Sequence, residues 1–226
     1  MVILAVHSTS ASLGVAVTEN RRVLREIVLP PARRHLEAMA PLIKDLTTEL
    51  DVRLPAIDGF GVAIGPGSFS GTRVGLAMIK GMALALAKPV AGISSLEILG
   101  WQALRDGEWS APVIDARRGE IYTALYRKSG DDMILVSGPA LIKQGEFLQY
   151  TDQVSERLLL CGDDVVDHLV GTTTHNLVRS DVYDPSAVAC ALLAYERIRS
   201  GNGDNLHSLT PLYIRRSDAE EKRRLN

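Results

Sequence analysis

Residues 59–93 read GFGVAIGPGSFSGTRVGLAMIKGMALALAKPVAGI. Gly59 to Ile64 is an apolar run of strand length, suited to burial on both faces. The glycine-rich turn Gly65-Pro66-Gly67-Ser68-Phe69-Ser70-Gly71 follows, and an apolar helix is predicted from about Thr72 to Ala87. Pro89 ends that helix, and Val90 to Ile93 returns to the sheet. A further helix opens at Ser94 or Ser95.

Upstream, Val2 to Val6 is a continuous apolar run, and Leu13 to Thr18 alternates after the polar turn Ser8-Thr9-Ser10-Ala11-Ser12. Glu19-Asn20-Arg21 then turns the chain into Val23 to Leu29, which makes three strands. Leu36, Met39, Ala40, Ile43, Leu46 and Leu50 recur at three- and four-residue spacing and predict a helix. Pro41 lies inside this pattern and implies a kink or a late start.

The second half repeats this grammar. Ala111 to Ile114 is an apolar run ending at Asp115, with a turn at Ala116-Arg117-Arg118. Gly119 to Tyr126 alternates, Met133 to Val136 supplies a third strand, Leu158 to Cys161 a fourth, and a helix runs from about Pro185 to Arg199. AVHSTSASLGVAV and PVIDARRGEIYTALY share one design: buried strand, polar residue at its end, tight turn, alternating strand. The expectation is an α/β protein of two duplicated β-β-β-α-β-α lobes, residues 1–105 and 106–226, the second lobe reduced. A nucleotide-sized cleft would lie between them. That layout is the actin-like ATPase fold, an analogy that does not assign a function.

Composition excludes little. The 226 residues are 46% hydrophobic, 23% charged and 5% aromatic, with a formal net charge of -2, so nothing global points to nucleic acid or an anionic membrane. MVILAV at the start is short for a signal peptide and lacks its basic flank, and no segment reaches the length of a membrane span; a cytoplasmic protein is expected. Cys161 and Cys190 sit in apolar stretches without a CxxC pattern, which reads as buried thiols. From Tyr213 the chain ends YIRRSDAEEKRRLN, a solvated tail or a weak contact for a nucleic acid or another partner.

The glycine turn is the first chemical candidate. Glycines at Gly65, Gly67 and Gly71 permit close backbone approach, Ser70 is placed to cap the next helix, and free N–H groups at a helix start receive phosphate. The same residues also suit a tight strand-to-helix turn without ligand, since no Walker GK[ST] follows. Ser8, Thr9, Gly65, Gly67, Ser68, Gly71 and Asp115 are therefore candidate nucleotide or phosphate contacts. Asp115 equally suits a turn-stabilising role beside Arg117 and Arg118. The histidines are scattered and His35 has Met39 four residues on, so no metal set is expected, and no nucleophile, base and acid assemble locally.

Ile64 to Leu99 resembles the signature segment of the TsaB family, also called YeaZ, which reads GPGSFTGLRIG, a helix with a KG pair, then P-V-x-G-x-S-S-L. ILAVHSTSASLGVAV, RRHLEAMAPLI, VIDARRGEIYTALY and PLYIRR agree in the same order across most of the chain. The resemblance implies an actin-like fold and a role beside TsaD, the threonylcarbamoyl-transferring subunit, with the ATPase TsaE and tRNA joining through the complex. One departure stands out: the family's usual Asp in ILAIDTS is His7 here. An imidazole serves magnesium poorly, which argues against independent ATP hydrolysis. Cys161-Gly162-Asp163-Asp164 replaces the Gly-Gly turn that TsaD-like proteins hold against adenosine.

Helix 72–87 is apolar nearly all round, with small residues at Gly75, Ala77, Gly81, Ala83 and Ala85. One side faces the sheet; the other needs a partner or is covered by helix 33–50. The resemblance favours a partner and implies an interface of Leu36, Met39, Ile43, Val74, Met78, Gly81 and Ala85, used for TsaD or for pairing with itself as a homodimer. The expected function is that of a non-catalytic subunit in transfer of threonylcarbamoyl to N6 of a tRNA adenosine next to the anticodon. It requires no cofactor of its own, with ATP or ADP at the junction with TsaD. The alternative is a free-standing actin-like ATPase or small-molecule kinase using GPGSFSG and Asp115.

Overall fold

A computed structural model describes residues 1–31, 35–105, 107–130, 132–171 and 177–215. In the first half β1 (Val2–His7), β2 (Leu13–Glu19) and β3 (Arg22–Leu29) form a meander. It is followed by α1 (Met39–Glu49), β4 (Gly59–Ala63), α2 (Phe69–Leu86), β5 (Val90–Ile93) and α3 (Ser95–Ala103). The second half runs β6 (Trp109–Arg117), β7 (Glu120–Ser129), β8 (Asp132–Lys143), α4 (Phe147–Thr151), β9 (Leu158–Gly162), α5 (Val165–Gly171), β10 (Leu177–Arg179) and α6 (Ala187–Arg199).

The sheets have the same strand order, β3-β2-β1-β4-β5 and β8-β7-β6-β9-β10. Each meander is antiparallel and each of the other two strands is added in parallel. The duplicated unit is thus β-β-β-α-β-α-β-α, one strand and one helix longer than the β-β-β-α-β-α expected. β10 has only three residues, too few for a periodicity, and was not foreseen. The reduction of the second half lies in its helices: α4 has 5 residues and α5 has 7, against 11 in α1 and 18 in α2.

Alternation on β1 sends side chains to two cores. Leu4 and Val6 meet Met39, Leu46, Leu76 and Ile79 from α1 and α2. Ile3 and Ala5 meet Ala189, Cys190, Ala191 and Ala194 of α6, so the last helix of the second half covers the first sheet. The exchange is reciprocal: α3 packs Leu96 and Leu99 against Ile114, Ala124 and Cys161 of the second sheet. Glu97 of α3 and Arg197 of α6 join where the two helices cross, with Nη2 at 2.6 and 2.8 Å from the carboxylate oxygens. Arg197 Nη1 also donates to the Gly92 carbonyl at 2.8 Å.

Pro41 produces the late start rather than the kink. A 3-10 turn spans His35–Ala38, and Pro41 falls in the first turn of α1, where its missing N–H costs nothing. α2 begins at Phe69, three residues earlier than predicted, and ends on Ala87 in the left-handed region, two residues before Pro89.

Candidate functional site

The turn after β1 and the glycine loop before α2 are locked together. Ser68 donates its N–H to the Thr9 carbonyl at 2.6 Å, and Ser8 Oγ donates to the Gly71 carbonyl at 2.9 Å. A Cβ at Gly67 would overlap the Thr9 carbonyl oxygen, and one at Gly71 the Ser8 carbonyl oxygen. Those two glycines therefore admit the chain's own backbone, and the gap between turn and helix start is filled by it. Ser68, not Ser70, caps α2: its Oγ accepts the Gly71 N–H at 3.2 Å. Ser8 and Thr9 are both buried.

His7 ends β1 and is 1% exposed. Its Nδ1 accepts the Thr9 N–H at 3.4 Å, which leaves the ring proton on Nε2, facing Ser10 Oγ at 3.3 Å and Ser12 Oγ at 3.5 Å. Burial lowers its pKa to about 4, against an opposing pull from Asp184. A neutral imidazole donating from Nε2 neither takes a proton from those serines nor holds the water shell of magnesium. The residues at the end of β1 are thus a poor match to a magnesium polyphosphate.

In the second half Asp115 completes a turn. Its Oδ1 accepts the Arg117 N–H at 2.7 Å, its Oδ2 lies 3.0 Å from the Arg117 guanidinium, and its own N–H donates to Asp163 at 2.7 Å. The turn-stabilising use of Asp115 is the one the geometry displays. Asp163 is raised above the ordinary carboxylate range by burial and by the negative charge of Asp115 and Asp184, against the lowering bond from the Asp115 N–H. Sequence reading missed Asp184, whose Oδ2 lies 3.5 Å from Ser12 Oγ although 172 positions separate them. Among the described residues no group of His, Cys, Asp or Glu is arranged to hold a metal ion.

The second candidate is the outer face of α2. Val74 is 39% and Leu84 63% exposed, Ala77, Gly81 and Ala85 are exposed, and nothing lies within 4 Å of where a Gly81 Cβ would be. Met78 and Met82 are half-buried and, with Ile43, Val52, Leu54 and Pro55, line a groove of about 660 Å³ against α1. Met39 and Ile43 do not belong to the outer surface: both are buried in the core of the first sheet, at 0% and 4%. The side chain of Leu36 lies outside the described residues. Leu84 was overlooked, and Ala77, named as a small residue of this helix, was left out of the interface, although both fall on the stripe of Val74, Gly81 and Ala85.

Two sheets of identical order, with exchanged helices, define a two-lobed protein of the actin-like ATPase fold. A ROK family protein from Streptococcus pneumoniae TIGR4 superposes with a TM-score of 0.54 at 10% identity, over 89% of this chain and 100% of that one. Residues 22–162 match the family model of TsaD, tRNA N6-adenosine threonylcarbamoyltransferase. The tRNA threonylcarbamoyladenosine biosynthesis protein TsaB of Bacillus subtilis (strain 168) is 26% identical over 228 residues, 98% of this chain and 97% of that one. A Pseudomonas aeruginosa protein with similarity to the peptidase YeaZ superposes with a TM-score of 0.83 at 28% identity, covering 95% and 99%. The chain belongs to the TsaB (YeaZ) family, within the wider group that the threonylcarbamoyltransferase model describes.

Proposed function

We propose that this chain is a non-catalytic subunit of the machinery that places threonylcarbamoyl on N6 of a tRNA adenosine next to the anticodon. It acts by binding TsaD, the transferring subunit, through the outer face of α2; TsaE and tRNA join through the assembled complex. The observation that carries the reading is the apolar stripe Val74, Ala77, Gly81, Leu84 and Ala85, left open to solvent on the longest helix. Small residues along a stripe let a second helix approach closely, and Leu84 and Val74 supply apolar area that gains from being covered. The TsaB relative from Bacillus subtilis, aligned end to end, supports the pathway.

The cleft supports the non-catalytic half of the reading. The carboxylate usual at the end of β1 is a buried neutral histidine, the turn after β1 is bonded to the glycine loop through Ser8–Gly71 and Thr9–Ser68, and Asp115 is tied to its own turn. The reading requires no cofactor in this chain and leaves ATP or ADP to the junction with TsaD. Reconstitution tests it. Modification of an unmodified tRNA by TsaD and TsaE, supplied with threonylcarbamoyl adenylate as donor, should depend on this chain, while the chain alone should turn over no ATP with magnesium. Brisk turnover by the isolated chain, with modification indifferent to its presence, would overturn the proposal.

A further inference from the structure

Residues 205–215 run back along α2 as a strap. Lys80 Nζ donates to the Leu209 carbonyl at 2.8 Å, and Arg73 Nε donates to Tyr213 Oη at 2.8 Å. Between this strap, the Gly65–Gly67 loop and the first turns of α2 lies a groove of about 610 Å³, with Tyr122 and Arg215 in its wall. Neither His7 nor the outer stripe of α2 lines it.

The groove combines aromatic surface with preset positive charge. The Arg73 guanidinium lies 3.8 Å from the Phe69 ring centroid and 5.8 Å from that of Tyr213. The two rings are 5.7 Å apart and remain 46% and 47% exposed. The bond to Tyr213 uses Nε, so among the described residues the two terminal nitrogens of Arg73 are left for an oxyanion. Lys80 stands about 10 Å further along the helix. At the other end Arg215 donates to the Ala116 carbonyl at 2.6 Å and pairs with Glu120. Arg215 and Arg117 are met by Glu120 and Asp115, so among the described residues the charge offered along the groove and α2 is that of Arg73 and Lys80.

We infer that this groove seats one nucleotide of an RNA strand, its phosphate on the Arg73 guanidinium and its base against the exposed ring of Tyr213. Rings that accept a base face, beside cations that follow the backbone, are how proteins hold single-stranded RNA. A free mononucleotide would use the same ring and the same arginine, but Lys80, two turns further along α2, would meet a further phosphate of a strand. The inference rests on the reading of the chain as part of a tRNA-modifying complex.

The test uses the assembled complex with TsaD, titrated with an unmodified tRNA transcript at several salt concentrations, after the TsaD affinity of each variant has been measured. Arg73→Ala should weaken tRNA binding about five- to tenfold and lower the salt slope by about one. Tyr213→Leu should weaken binding by a similar factor at an unchanged slope, and Arg73→Lys should recover the slope. Unchanged affinity and slope in Arg73→Ala, with TsaD binding intact, overturns the inference and leaves the proposed function standing. Binding of adenosine monophosphate that depends on Arg73, with tRNA binding indifferent to it, overturns it in favour of a free nucleotide. If no complex with TsaD forms, the proposed function falls instead, and the same titration of the isolated chain decides the groove.

Discussion

Ser68 and Thr9 are joined backbone to backbone: the Ser68 N–H meets the Thr9 carbonyl at 2.6 Å. The turn after β1 and the loop before α2 follow two adjacent, parallel strands. Here they touch, and Gly67 and Gly71 are what let them touch. The glycine motif that suggests a nucleotide loop thus serves to close the space.

Gly71→Ala places a methyl group on the Ser8 carbonyl, backbone that has no room to retreat. We predict a loss of at least about 3 kcal/mol in urea denaturation, or failure to fold. Gly81→Ala is the control: its Cβ meets nothing within 4 Å, and the change should stabilise the helix by about 0.5–1 kcal/mol. Equal effects at the two sites would refute the close-packing role.

The pH dependence follows from His7. Its pKa is lowered to about 4 in the folded protein from 6.5, so between those values the unfolded chain binds the additional proton. Stability is full above about pH 6.5 and falls as pH drops toward 4, by about 3 kcal/mol in all. Asp163, raised by burial, works in the opposite sense, favouring the fold at low pH and losing that contribution as pH rises. Comparing denaturation curves of the protein and His7→Asn from pH 7 to 4 isolates the histidine. The variant should show the shallower acid loss, and parallel curves would contradict the assignment.

Much of the fold was legible because its strands are apolar runs ended by polar turns, as at Val2 to Val6 and Ala111 to Ile114. The short elements were not, since α4, α5 and β10 are too brief to display a period. The exchange of α3 and α6 was equally hidden, because an apolar helix does not say which sheet it covers. Met39 and Ile43 share a helical stripe that the sequence cannot divide between core and surface; the sheet claimed both. The glycine loop misled for a related reason. What occupies it is Ser8 and Thr9, some sixty positions away in the chain.

The crossing of α3 and α6 should be energetically coupled. Glu97 and Arg197 are partly buried and joined by two short bonds. A double-mutant cycle with Glu97→Ala and Arg197→Ala is expected to give a coupling of about 1–2 kcal/mol. Additive losses would mean that the lobes are held by packing alone.

Cys161 and Cys190 should resist modification. Both thiols are fully buried and burial pushes both well above the usual thiol range. A colourless aromatic disulfide that releases a coloured thiolate should label neither cysteine in the native protein and both after denaturation. Rapid native labelling would show that the α6 core opens readily.

The most direct measurement is the affinity of this chain for TsaD, read by calorimetry on the unaltered protein and on Leu84→Glu and Val74→Glu. Both side chains are exposed, so neither change should move the melting temperature by more than a few degrees. A carboxylate trapped in a covered apolar contact is costly, and each variant should lose at least a hundredfold in affinity. Full affinity in both variants, at unchanged stability, would mean that the outer face of α2 does not bind the partner.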